Sequence, residues 1–162
     1  MSTLYATPLG PNVKADGSID IARRVSTNRL TPRVCVAHLT YIMTAAELAA
    51  DVIRLWRAPQ GTKILPHLSL VTSDGISTTA TLNVGDEDLL GIGAAAVAAR
   101  YAAAANVAAA NARVLFSATG NPVAAVTPYE LGSDAWITAT FATLTVPVAA
   151  KRLEFLVFYL GA

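Results

Sequence analysis

Three kinds of side chain in this sequence could support chemistry: two histidines, one cysteine and a short acidic run. His38 and His67 fall in different predicted strands, and a metal site needs three or four converging ligands, so we expect both to have structural or surface roles. Cys35 lies in the apolar run VCVAHLTYIM, where a small buried hydrophobe is the expected role of a free cysteine. A reactive thiol would need exposure and a basic neighbour, and a single cysteine excludes an internal disulfide.

The acidic run is Asp86-Glu87-Asp88. Carboxylate oxygens suit Ca²⁺, but the run lacks the loop of spaced ligands that an EF-hand uses, so the capping of a helix is the favoured interpretation. Glu130 and Asp134 could form a carboxylate pair of the glycosidase type, yet closeness along a loop is weak support for such a pair. The acidic residues therefore predict no metal site and no catalytic site.

Short motifs with known chemistry are missing from the sequence. It contains no G-x-S-x-G, no phosphate-binding glycine loop and no C-x-x-C. Gly91 and Gly93 do not complete a dinucleotide fingerprint, and close packing of small residues explains them better. Trp56 and Trp136 could line a sugar or nucleobase surface, although aromatic residues spread singly along strands are more often core. We expect no enzyme activity and no cofactor.

The composition indicates a single domain with a surface that is poor in charge. A chain of 162 residues can bury a substantial core, and a formal charge of +1 argues against a general nucleic-acid binder. Only 14% of the residues are charged, whereas a lone monomer normally carries far more charge on its surface. Between residues 89 and 150 the charged residues are Arg100, Arg113, Glu130 and Asp134. We therefore expect partner subunits to cover much of this surface.

Residues 1–31 are predicted to form an extended N-terminal arm. Prolines and glycines interrupt the segment, and neither a strand period nor a helix period persists in it. Its start, MSTLYATPLG, lacks the basic and apolar regions of a signal peptide. A solvated, mobile terminus and an arm that lies over an acidic neighbouring subunit are both compatible with this composition. The basic residues of the arm and its junction are Lys14, Arg23, Arg24, Arg29 and Arg33.

Residues 32–162 are predicted to form a β-sandwich domain. Short segments with strand-like alternation are separated by glycine and proline turns, which is typical of an antiparallel sandwich, with a jelly roll as the favoured version. Ser73-Asp74-Gly75 carries the strongest hairpin signal of the chain. In the last strand, KRLEFLVFYL, both faces are apolar from Phe155 onward. Such a strand lies inside a sheet or under a subunit contact.

One alanine-rich helix is predicted within this domain, at about residues 87–110. The acidic run would cap its start, and alanine has the highest helix propensity. The stretch LLGIGAAAVAARYAAAANVAAA is long enough to span a membrane, but Arg100 near its centre makes insertion unfavourable, so we expect no membrane span. A narrow stripe with Val97, Tyr101 and Val107 would let the helix pack on more than one side.

Several short sequence motifs occur in a recognisable order along the chain. The stretch IRLWRAPQGTKIL, with its turn at Pro59 and Gly61, precedes LSLVTSDGISTTATLNVGDED, and an alanine-rich insertion separates both from AWITATF and LEFLVFYL. From Asp51 to Leu160 this order resembles small tailed-bacteriophage head proteins of the decoration or cement type. The resemblance implies a jelly-roll fold without catalytic residues.

A cement protein joins neighbouring major capsid protein subunits on the outer surface of the head, commonly as a trimer, and holds the shell against the pressure of packaged DNA. The resemblance thus implies a virion protein, assembled in the host cytoplasm, whose partners are the major capsid protein and further copies of itself. We expect capsid contacts from four arginines and a subunit interface at three residues of the helix. These residues are Arg23, Arg24, Arg29 and Arg33 for the capsid and Val97, Tyr101 and Val107 for the interface.

Other functions remain open at this point. A head-fibre base or a carbohydrate-binding adhesion module would show an exposed, coplanar aromatic patch that includes Trp56 or Trp136. A tail component is another possibility, and a hydrolase is disfavoured by the small number of histidines, cysteines and acidic pairs. The arginines of the arm could contact DNA phosphates, but no basic stripe elsewhere supports direct binding of nucleic acid.

Overall fold

The computed structural model describes residues 33–89, 97–119 and 128–161. Within these residues the chain forms nine β-strands and a three-residue 3-10 helix at Phe116–Ala118. The strands are β1 (Val34–Ile42), β2 (Val52–Ala58), β3 (Lys63–Ile64), β4 (Leu70–Asp74), β5 (Thr79–Asp88), β6 (Val97–Asn106), β7 (Ala110–Leu115), β8 (Ala135–Thr145) and β9 (Arg152–Leu160). No helix in these ranges has the length and hydropathy of a membrane span. The predicted arm, residues 1–31, lies outside the described residues.

The strands form two antiparallel sheets. The first sheet has the order β1-β9-β4-β7, and the short β3 also pairs with β9. The second sheet has the order β2-β8-β5-β6. The prediction of a mainly β, antiparallel sandwich is confirmed, and β9, whose two faces are apolar, is an inner strand of its sheet.

The long strands pair as a nested hairpin. β5 pairs with β6, β4 with β7, β2 with β8 and β1 with β9, so each pair encloses the previous one along the chain. Except between β5 and β6, each successive long strand belongs to the other sheet. This arrangement leaves β1 and β7 as the edges of the first sheet and β2 and β6 as the edges of the second.

The core lies between the two sheets and is filled by alternate residues of both. Phe155 on β9 and Phe141 on β8 are completely buried and belong to the same hydrophobic cluster. Trp56 on β2 packs against Tyr159 on β9 with ring centroids 4.6 Å apart, so this tryptophan links the two sheets. Burial of such large apolar side chains is the main stabilising contribution to a sandwich of this kind.

The predicted alanine-rich helix at about residues 87–110 is wrong. The described part of this segment is the end of β5, all of β6 and the start of β7. Helix propensity is a weak preference that tertiary contacts override, and here the backbone of β6 pairs with that of β5. The two backbones approach so closely that a Cβ atom on Gly85 would overlap the carbonyl oxygen of Val97. The absence of a side chain at Gly85 therefore lets β6 pair closely with β5. The alanine content of the segment alone does not indicate this pairing.

The hairpin predicted at Ser73-Asp74-Gly75 is also wrong, although the turn exists. Gly75 adopts a positive φ of 83°, but β4 and β5 lie in different sheets. Ile76, the next residue, is completely buried, and its side chain anchors the connection in the core. The turn therefore carries the chain across the sandwich instead of reversing it within one sheet.

Candidate contact surfaces

Three of the four arginines predicted to contact the capsid lie outside the described residues, namely Arg23, Arg24 and Arg29. Arg33 directly precedes β1 and is exposed. The role of all four in capsid contact stays a prediction.

The three residues predicted to form a subunit interface occupy different environments. Tyr101 and Val107 are 1% and 0% exposed and belong to the subunit's own core cluster. Val97 begins β6 and is 38% exposed. The single helical stripe expected for these residues is not formed, because the segment is a strand. Of the three, Val97 offers side-chain surface to another subunit, and its interface role stays a prediction.

The acidic run ends β5 and caps no helix, which corrects the capping interpretation. Each of its carboxylates has a polar partner on a different element. These pairs are Asp86 with Arg100, Glu87 with Arg54, and Asp88 with Ser133. The run is therefore a set of three separate structural contacts.

The Asp86–Arg100 ion pair is the most buried of these contacts. Arg100 Nε donates to Asp86 Oδ2 at 2.5 Å, and the two side chains are 18% and 7% exposed. The guanidinium carbon of Arg100 lies 3.8 Å from the centroid of the Tyr129 ring, a cation–π contact. This arrangement joins β5, β6 and the segment before β8, so we assign it a structural role.

The outer face of the first sheet is apolar at one end. Its members are alternate residues whose side chains point away from the core, and together they form what we call the apolar half: Val34, Val36, Leu70, Leu115, Leu156, Phe158 and Leu160. Across the β1–β9 pairing, Val34 faces Leu160 and Val36 faces Phe158. Val34 and Val36 are 55% and 51% exposed. Leu115 is also exposed, the three β9 residues are half-buried, and Leu70 at the centre is covered by its neighbours. A contiguous apolar surface of this kind marks a contact site.

The other end of the same face is charged, and its charges are paired with one another. Arg152 Nε lies 3.0 Å from Asp74 Oδ2, and Arg152 Nη1 lies 3.7 Å from Glu154 Oε1. His38 Nε2, between the two halves, is 3.9 Å from Glu154 Oε2. These exposed pairs add little stability, but they leave this end of the face with a small net charge.

The outer face of the second sheet carries rows of threonine. Thr79 and Thr145 lie opposite each other with hydroxyl oxygens 2.5 Å apart, and those of Thr81 and Thr143 are 2.8 Å apart. We call the surface formed by these four residues the threonine face. It is neutral and polar, and its hydroxyl groups form hydrogen bonds with one another across the strands. An open cleft of about 500 Å³ beside it is lined by Val52, Arg54, Asp86, Glu87, Ala98, Thr138 and Thr140.

Glu47 is a buried carboxylate in the turn between β1 and β2. Its Oε1 accepts hydrogen bonds from the Tyr41 hydroxyl at 2.8 Å and from the N–H and hydroxyl of Thr44 at 2.7 and 2.9 Å. Burial raises the pKa of this carboxyl, but the backbone and hydroxyl hydrogen bonds outweigh burial and bring the pKa down to about 2. Burial and the bond to Glu47 raise the pKa of Tyr41 to about 12. The pair therefore holds the end of β1 in place.

Replacing Glu47 with glutamine is expected to remove part of the acid sensitivity of the fold. The pKa is about 2 in the folded protein against an ordinary 4.5, so the unfolded chain binds this proton more tightly. The contribution to the free energy of unfolding is present above the ordinary pKa and is lost as the pH falls toward 2. We expect it to be on the order of 1 kcal/mol after solvent screening.

Denaturant unfolding at a series of pH values down to 2 measures this difference. The wild type should lose more stability than Glu47→Gln over that interval, whereas the variant Glu154→Gln, at a half-exposed surface carboxylate, should follow the wild type. Parallel curves for wild type and Glu47→Gln would contradict the assignment.

The remaining residues considered for chemistry do not converge. His67 is exposed, and Cys35 is half-buried on β1. Within the described ranges no three histidine, cysteine or acidic side chains are grouped as metal ligands. Trp56 packs between the sheets, and Trp136 is half-buried on β8. The outer faces of the two sheets are therefore the candidate contact surfaces of the described domain.

The apolar half was not named from the sequence, although a signal for it existed. The apolar residues on both faces of β9 indicated burial on two sides. The strand β1 shows the same property, with Val34 and Val36 on one face and Ala37 and Leu39 on the other. Only the β1–β9 register shows that the outer residues of these two strands form one surface.

No protein-family model matches this sequence, and no curated protein matches it. The structure is similar to a chain of the cyanophage Pam1 capsid asymmetric unit, with a TM-score of 0.56 and 22% identity over 81% of this chain and 86% of that chain. It is also similar to a chain of the capsid of Ralstonia phage GP4, with a TM-score of 0.53 and 16% identity over 80% of this chain and 85% of that chain. At these identities the likeness is one of fold: this chain shares its architecture with chains found in two phage capsids.

Proposed function

We propose that this protein is a structural, non-enzymatic component of a tailed-phage virion that binds the outside of the head and cements neighbouring major capsid protein subunits. The observation that carries the proposal is its similarity in fold to chains of two phage capsids, which extends over at least 80% of its length. The contact surfaces described above supply the physical support, because they offer area for a partner.

The strand order supports a jelly roll in particular. A jelly roll is a double-sheet sandwich of eight strands, and the eight long strands here are divided equally between two sheets and, except between β5 and β6, alternate between them along the chain. The nested pairing of β1 with β9, β2 with β8, β4 with β7 and β5 with β6 is what results when one long hairpin wraps into a sandwich. The short β3 is an addition beside β9.

The two outer faces of the sandwich support a role in lateral contacts. The apolar half can bury hydrophobic area against a partner, and the threonine face can make neutral hydrogen-bonded contacts. We further propose that the protein acts as a homotrimer, since a cyclic trimer joins two unlike surfaces of adjacent copies. Contacts of modest strength, repeated over many copies on a shell, add up to firm attachment.

Deleting residues 1–30 is expected to weaken attachment of the protein to purified phage shells that lack it. The deletion removes Arg23, Arg24 and Arg29, which we propose contact the capsid electrostatically. We expect affinity to fall by about tenfold or more, and added salt should weaken the wild type more than the deletion variant because salt screens such contacts. Co-sedimentation of the protein with the shells measures both effects.

Deletion of residues 1–10 is the matched control, because that segment contains no charged side chain. Full affinity in the 1–30 deletion would contradict the role of the arm. Failure of the wild type to co-sediment with shells would contradict the proposed function itself.

A further inference from the structure

The four edges of the two sheets differ in how they are protected against pairing with another chain. Natural proteins shield such edges with bulges, charged side chains or short strands. The edge strand β2 has a register shift between Arg54 and Trp56 and carries two arginines. The edge strand β6 pairs with β5 through two register shifts and has a positive φ at Ala104. The edge strand β7 has a positive φ at Asn111, a register shift against β4 and the exposed Arg113.

The edge strand β1 has none of these protections. It is nine residues long, and its register with β9 runs without interruption from Val34 to Ile42. It contains no proline, glycine or lysine, and His38 is its one titratable side chain other than Cys35 and Tyr41. No other described strand pairs with its outer side. This edge is therefore a ready template for an additional strand.

The hydrogen-bonding direction of the backbone identifies the residues that face this open edge. Met43 N–H donates to the carbonyl of Lys151 at 2.8 Å, and antiparallel neighbours alternate between bonded and unbonded positions. The N–H and C=O groups that point outward thus belong to the alternate residues of β1 that start at Val34. Their side chains are also exposed. These residues are Val34, Val36, His38, Thr40 and Ile42.

We propose that the open edge of β1 accepts an extended segment of the shell protein as an additional antiparallel or parallel strand, an inference that rests on the proposed function. Main-chain hydrogen bonds would supply the affinity, and alternate apolar side chains of the incoming segment would extend the apolar half beyond Val34 and Val36. The edge offers a single row of residues and therefore a small contact area, whereas a stable free dimer buries roughly 800 Å² per partner. A strand of the shell, held in place by the other contacts of an assembly, needs less area than a second free copy of this chain. A two-fold β1–β1 pairing centred on the strand would also set His38 against His38.

Proline at position 38 tests the backbone contribution. His38→Pro removes an N–H that faces the open edge and is not bonded to β9, and proline is tolerated at such edge positions. His38→Thr is the matched control, because it removes the same imidazole but keeps the N–H. We expect His38→Pro to bind purified shells at least about tenfold more weakly than His38→Thr in co-sedimentation, with similar melting temperatures for the two variants.

Equal shell binding by the two variants would overturn the proposal while leaving the proposed function intact. If His38→Pro does not fold, Thr40→Lys against Thr40→Ser replaces it, because Thr40 faces the same open edge but lies outside the apolar half. An edge lysine blocks strand addition without altering the backbone, and equal binding by that pair overturns the proposal in the same way. A wild-type dimer or trimer in light scattering that the edge variants convert to monomer would identify a second copy as the occupant and overturn the assignment to the shell. Shells that fail to bind the wild type would instead overturn the proposed function.

Discussion

Replacing Gly85 with alanine is expected to destabilise the domain by on the order of 3 kcal/mol or more, which is large for the addition of one methyl group. The added Cβ atom would overlap the carbonyl oxygen of Val97 and would lie 2.6 Å from the carbonyl carbon of Ala98. Both are backbone atoms of β6, so no side-chain rotation can relieve the overlap. The strand pair β5–β6 would have to separate locally, with loss of its ladder hydrogen bonds.

Gly132→Ala is the control for this experiment. A Cβ atom at Gly132 would meet no atom within 4 Å, and the residue is exposed. Urea unfolding of both variants measures the difference, and we expect Gly132→Ala to stay within about 0.5 kcal/mol of the wild type. If Gly85→Ala were as stable as Gly132→Ala, β6 would not approach β5 as closely as described.

Replacing Arg100 with methionine is expected to cost about 3–5 kcal/mol, because it leaves the carboxylate of Asp86 buried without its cation. The Asp86 side chain is 7% exposed, and its ion pair with Arg100 is 2.5 Å long. The change also removes the contact between the guanidinium and Tyr129. Circular dichroism during thermal and urea unfolding measures the loss.

Two further variants separate the buried charge from general effects of losing an arginine. Arg57→Met breaks an exposed pair with Asp134 at 3.0 Å and should cost less than about 1 kcal/mol. Adding Asp86→Asn to Arg100→Met should recover part of the lost stability, because it removes the uncompensated charge. Equal effects of Arg100→Met and Arg57→Met would contradict a special role for the buried pair.

The sequence predicted the sandwich because strand alternation and turn residues act locally and recur along the whole domain. The position of β9 inside a sheet was predictable for the same reason, since both of its faces are apolar from Phe155 onward. The alanine-rich helix failed because alanine favours a helix in isolation, whereas here a glycine on β5 lets a strand of small residues pair closely. Whether the segment forms a strand depends on its partner strand, which the local sequence pattern does not contain.

The contact surfaces were less predictable than the fold, since they depend on which strands become neighbours. Asp86 and Arg100 meet through the pairing of β5 with β6, and the acidic run by itself is equally typical of a helix cap. The apolar half combines residues from β1, β4, β7 and β9. The low proportion of charged residues indicated that contact area exists but not where it lies.

The nested pairing also has a consequence for the order in which the strands pair during folding. The innermost pair, β5 and β6, closes the shortest loop, whereas β1 and β9 come from opposite ends of the domain and close the longest, and loop closure becomes more costly with length. Folding dominated by such distant pairings is slow, on the order of milliseconds to seconds. We expect β1 to dock last, so the edge that we assign to strand addition would form only on a fully folded subunit.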